Sequence, residues 1–246
     1  MSHLQDRWRR CVAEFVGTGF LLTAVVGSGI MGERLAEGSV AIALLANSMA
    51  TGAALVALIL VFGPISGAHF NPLVSAAAFS EGRLSRADLT TYVPAQLLGA
   101  FLGTACADTM FAEPLLAWSE HARKGLPQAL SEVVATFGLL AIVLGCARQR
   151  HETAAFAVGG YITAAYWFTA STAFANPAVT LARMATNTFA GIRPIDVPAF
   201  LAAQVIGAAA ATVFFRWLVA QPRHAGRVHT ALHRYPPQPW GDAHGG

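Results

Sequence analysis

Ser66-Gly67-Ala68-His69-Phe70-Asn71-Pro72-Leu73-Val74-Ser75 and, 105 residues later, Ser171-Thr172-Ala173-Phe174-Ala175-Asn176-Pro177-Ala178-Val179-Thr180 are two versions of one pattern. In each, small residues lead into Asn-Pro, a favoured helix N-cap followed by a favoured first helical residue. Two flanking matches extend the similarity. Ala13-Glu14-Phe15-Val16-Gly17-Thr18 pairs with Ser131-Glu132-Val133-Val134-Ala135-Thr136, and Gln96-Leu97-Leu98-Gly99-Ala100 pairs with Gln204-Val205-Ile206-Gly207-Ala208. The chain is therefore an internal duplication.

Composition says what the halves are made of. Of 246 residues, 55% are hydrophobic and only 12% charged, and the mean hydropathy is +0.51. A soluble domain carries roughly 25% charged residues, so a soluble, disordered or nucleic-acid-binding chain is excluded for want of polar surface. Stretches free of Asp, Glu, Lys and Arg run over 40–62, 90–107 and 197–215, and 11–31 and 126–147 hold only Glu14 and Glu132. A sixth, 153–182, is too long for one helix and is broken by Asn176-Pro177, so it reads as a span followed by a segment that turns back. These are six spans, three in each half.

An odd number of spans per half forces the two halves to insert with opposite orientation, the inverted-repeat architecture of channels and transporters. The expected domain is a single transmembrane unit over 1–220, with repeat one at about 8–110 and repeat two at about 126–220. Residues 221–246, polar and proline-rich, read as a disordered tail. Arg7, Arg9, Arg10, Arg83, Arg86, Arg148, Arg150, Arg216, Arg223, Arg227 and Arg234 share the side of both termini. Arg34, Arg123, Lys124, Arg183 and Arg193 lie on the other. The positive-inside rule then puts both termini in the cytoplasm. No cofactor or metal is implied: Cys11, Cys106 and Cys146 form no CxxC, and the histidines of the tail lack metal spacing.

The Asn-Pro segments read as short helices that enter from opposite faces and meet at the midplane. Each N-terminus carries about half a positive charge, so the meeting point repels cations. Non-helical backbone at that depth must be buried or line water. The carbonyls of Gly67, Ala68 and His69, and of Thr172, Ala173, Phe174 and Ala175, would form an acceptor ladder. Asn71 and Asn176 would cap their helices through oxygen and offer N–H to a solute. Such a pore suits small neutral molecules.

These residues resemble the major intrinsic protein family of aquaporins and glycerol facilitators. The resemblance rests on the two Asn-Pro motifs, the run Ser66–Pro72 and the Glu14/Glu132 pair, and covers roughly 8–220. It implies an all-α membrane protein of six transmembrane helices plus two half-helices, in a homotetramer within the lipid bilayer, probed by water and small neutral solutes and by no nucleic acid. It implies also that Glu14 and Glu132 hold the pore-lining loop backbone, and a bacterial inner membrane as the location.

Two departures from the family pattern carry the functional expectation. The first motif has Leu73 where Ala is usual, and the second has Val179 where an arginine usually follows Asn-Pro-Ala. The other filter positions, carried over by distance from the asparagines, are Thr51, Ala164 and Ala173. This set implies a wide, apolar filter that admits glycerol-like polyols, neutral arsenite and related metalloid hydroxides as well as water. Arg-less relatives are linked to metalloid permeation. Arg183, one turn further along, is expected to pack rather than to filter. A plain water channel is the alternative within the family. An intramembrane enzyme using Glu14, Glu132 and His69 lacks any HExxH or GxSxG support, and a transporter lacks paired membrane charges.

Overall fold

The computed structural model describes residues 3–146 and 151–219; the tail expected over 221–246 and the 147–150 connection lie outside them. Helices α1 (His3–Leu35), α2 (Val40–Ser66), α4 (Arg86–Met110), α5 (Leu126–Cys146), α6 (His151–Phe168) and α8 (Val197–Val219) are long. Helices α3 (Pro72–Ser80) and α7 (Pro177–Arg183) are short. No strand occurs among the described residues. Among the described residues, four of the long helices are long and apolar enough to cross a membrane by length and composition. Helix α4 is made less apolar by Thr90, Thr91, Gln96, Thr104, Asp108 and Thr109, and α6, with 18 residues, by its polar start His151-Glu152-Thr153.

Local chemistry sets the ends. Ser39 caps α2 through its side chain, and Gly67 closes it in the left-handed region at φ 90°, its N–H reaching the Gly63 carbonyl. Ser85 caps α4 by accepting from the Asp88 N–H and donating to the Asp88 carboxylate at 2.7 Å. The 169–176 segment between α6 and α7 is not helical, so the long apolar stretch turns back where Asn176-Pro177 predicts.

The two halves use the same packing. Helix α1 lies against α2 and α4, α5 against α6 and α8, and α2 against α6 across the halves. The α1–α4 and α5–α8 pairs approach at equivalent glycines. A Cβ on Gly99 would sit 2.2 Å from the Phe15 carbonyl oxygen, and one on Gly207 would sit 2.4 Å from that of Val133. Backbones this close leave no room for a side chain, as small-residue interfaces in membranes require.

Polarity is inverted relative to a soluble protein. Phe20, Leu98, Leu102, Phe156, Val205 and Val213 are exposed on the outside, while Glu14, Gln96, Glu132 and Gln204 are fully buried. An apolar exterior of this extent is stable only against lipid. Gly99→Val should lower stability in detergent by about 1–3 kcal/mol or abolish folding, read as the thermal unfolding midpoint. Gly160→Ala should raise it by about 0.5–1 kcal/mol, since nothing lies within 4 Å of that Cβ position.

Candidate pore

Two buried carboxylates organise the centre. Glu14 on α1 accepts from Ser66 Oγ at 2.6 Å, the His69 N–H at 3.0 Å, the Phe70 N–H at 2.7 Å and Gln96 Nε2 at 2.8 Å. Glu132 on α5 does the same in the second half. It accepts the Phe174 and Ala175 N–H groups at 2.9 Å each and Gln204 Nε2 at 2.6 Å. Gln96 and Gln204 also donate to Ser75 and Thr180 on the two half-helices. A carboxyl group with this many donors meets the requirement that buried polar groups be hydrogen-bonded.

With their N–H groups drawn to the glutamates, the loops present carbonyls on their other side. Ala68 and Phe70 have φ of 49° and 48°, and their repeat equivalents Ala173 and Ala175 have 49° and 47°. Non-glycine residues visit this region at a cost of about 1–2 kcal/mol each, so the glutamates hold the loops against local preference. The carbonyls of Gly67, Ala68 and His69, and of Thr172, Ala173 and Phe174, accept none of the described hydrogen bonds.

The asparagines join the halves. Asn71 Oδ1 accepts the Leu73 N–H at 2.9 Å and Asn176 Oδ1 that of Ala178 at 2.9 Å, so each caps its half-helix. Asn71 Nδ2 donates to the Ala175 carbonyl and Asn176 Nδ2 to the Phe70 carbonyl, both at 2.8 Å. This reciprocal exchange locks the two N-termini together. One amide hydrogen of each asparagine is used in it, and one remains.

A cavity of about 450 Å³ follows this centre. One end is bounded by Arg10, Arg83 and Asp88, where Arg10 pairs with Asp88 at 3.0 Å. The middle is bounded by Gly67, Ala68, His69, Asn71 and Asn176, and the far end by Thr51, Tyr166, Ala173, Phe174, Val179 and Arg183. Thr172 and Ala175 do not border it. His69 shares Nδ1 with Ser75 Oγ at 3.0 Å and stands edge-on to Tyr92.

The far end differs from the expected filter in two places. Ala164 is exposed on the outer face of α6 and does not border the cavity; Tyr166, 3% exposed, does, with its hydroxyl 3.2 Å from Thr51 Oγ1. Two residues separate these positions, about 200° around a helix, so counting from the asparagine selected the wrong face. Arg183, expected as packing, is buried yet borders the cavity, its guanidinium 3.5 Å from the Phe174 ring centroid.

Arg123 was not anticipated. From the α4–α5 loop it donates to the carbonyls of Gly191 at 2.8 Å and of Ser171 and Phe189 at 3.3 Å, pinning the 171–172 loop to the 189–191 connection. Burial, then the charge of Arg183, lowers its pKa to about 9, so it keeps its proton at neutral pH. No motif surrounds it; an isolated arginine in a loop gave no pattern to read.

Two re-entrant half-helices joined N-terminus to N-terminus around a cavity, within an apolar exterior, define a membrane channel. The Major intrinsic protein family matches residues 1–155, and the chain belongs to that family, whose members are passive channels rather than enzymes. It is 55% identical over 218 residues to the aquaglyceroporin AqpS of Rhizobium meliloti (strain 1021), covering 89% of this chain and 93% of that protein. It is 32% identical to the aquaporin AqpM of Methanothermobacter thermautotrophicus, covering 87% and 98%. The X-ray structure of the aquaglyceroporin from Plasmodium falciparum superposes with a TM-score of 0.69 at 23% identity, covering 86% of this chain and 95% of that one; it supports the fold.

Glu14→Gln or Glu132→Gln leaves backbone N–H groups facing an amide NH₂. Each should cost at least about 2 kcal/mol and suppress flux, read by thermal unfolding in detergent and by osmotic swelling of reconstituted vesicles.

Proposed function

We propose that this chain is a passive pathway for water and for small uncharged solutes: glycerol-like polyols, neutral arsenite and related metalloid hydroxides. The observation that carries the reading is the cavity's far end, where Val179 and Ala173 border the same space as Thr51. A valine there neither narrows the passage as an arginine would nor puts a charge in that plane. Carbonyls of the two loops and the spare amide hydrogens of Asn71 and Asn176 replace a solute's hydration shell in stages. An apolar wall opposite them accommodates the carbon side of a polyol. The relative at 55% identity bears the name aquaglyceroporin, in accord with this substrate class.

A water-only channel is favoured by one observation, the Tyr166–Thr51 contact at 3.2 Å, which brings a bulky phenol to filter height. The transmembrane unit is assigned to 1–220, as a homotetramer in a bacterial inner membrane with both termini cytoplasmic. The arginine bias toward the terminal side supports that orientation, and the apolar outer faces of the helices would meet neighbouring copies or lipid.

Stopped-flow light scattering on proteoliposomes separates the two readings. Wild type should conduct water, glycerol and neutral arsenite. Val179→Arg should cut glycerol and arsenite flux at least about tenfold, an added barrier of ~1.4 kcal/mol, and leave water flux in place. Wild-type vesicles that pass water alone would establish the water-only channel.

A further inference from the structure

We propose that Arg183 is the charge filter of this pore, so that selection by size, at Val179, and selection by charge, at Arg183, occur at separate levels. The inference rests on the channel reading above but not on which neutral solute is carried.

Arg183 is four residues beyond Val179 on α7, hence on the same helix face and about 6 Å further along the axis. It is 1% exposed and yet borders the cavity. Its Nε donates to the Ala190 carbonyl, and its guanidinium is fixed against the Phe174 ring, which Phe200 in turn supports edge-on. The two Nη nitrogens make none of the described hydrogen bonds, so on a residue that borders the cavity they are the donors left for a passing molecule.

Among the described residues no carboxylate lies within ion-pair distance of it; the described pairs involve Arg7, Arg10, Arg34, Arg193 and Arg216, and the buried Glu132 carboxyl acts on it only through space. Arg123, whose guanidinium is 5.0 Å from the same ring centroid, behaves differently. Its three nitrogens are all spent on carbonyls and the Thr172 hydroxyl, so it braces the loop and adds positive potential from behind. A fixed cation beside a confined path in low dielectric acts strongly on any passing ion. It raises the barrier for cations while offering N–H groups to the oxygens of neutral solutes. Because it stands a turn outward, the Val179 level stays wide.

The test is potassium leak relative to water permeability in vesicles holding the full chain, for Arg183→Met, Arg183→Gln and Arg183→Lys. Both neutral variants should raise the potassium-to-water ratio at least about tenfold, the change expected when even a screened unit charge is removed at this range. Arg183→Lys, which keeps charge but not the planar stack, should stay near wild type. Val179→Arg combined with Arg183→Met should restore the low ratio by putting the cation back one turn inward.

An unchanged ratio in the neutral variants overturns the proposal, as does a lysine variant that leaks like methionine. Neutral variants that yield no water-permeable vesicles also overturn it, since the side chain is then a strut of the fold. Failure of the solute reading shows elsewhere, as wild-type vesicles impermeable to glycerol, and leaves the ion ratio unaffected.

Discussion

Backbone placed at the centre of a membrane must find hydrogen-bond partners within the protein, because lipid supplies none. That constraint governs this molecule. Two non-helical loops, 67–71 and 169–176, stop half-way across, and two buried glutamates answer for N–H groups in them. Each asparagine amide then answers for a carbonyl of the opposite loop. Among the described residues the carbonyls of Gly67, Ala68, His69, Ala173 and Phe174 receive no protein donor, and these residues border the cavity. The pore is what is left when the loops' donors are satisfied and several of their acceptors are not.

The tight glycine contacts follow from the same requirement. Glu14 can reach the 69–70 N–H groups, and Gln96 can reach Glu14, only if α1 and α4 lie almost backbone to backbone. The second half repeats this through Val133, Gly207 and Gln204. A carboxyl group inside each half would be costly without partners, but with three or four donors it becomes the point from which the loop geometry is set.

Much of this was legible in the sequence. The Asn-Pro pairs, their loops and the two glutamates recur at matching places, so duplication marked them without any knowledge of packing. The filter was less legible because it depends on helix rotation. On α6, Phe156, Gly160, Ala164, Trp167 and Phe168 are exposed, while Ala155, Val158, Ile162, Ala165 and Tyr166 are buried. That periodicity puts Tyr166 on the pore side and Ala164 on the lipid side, a signal present in the residues that distance from Asn176 overrides. The position of Arg183 follows from the fold of the 184–192 connection, whose Ala190 carbonyl anchors it. Arg123 depends on a loop from the other repeat boundary. Neither long-range contact has a local pattern in the chain.

The central claim is that one pathway admits neutral solutes larger than water. The reflection coefficient of glycerol, measured against sucrose on the same wild-type proteoliposomes, tests it most directly. A coefficient for glycerol well below that for sucrose is the result this account predicts. Equal coefficients for the two, with water flux present, would contradict it.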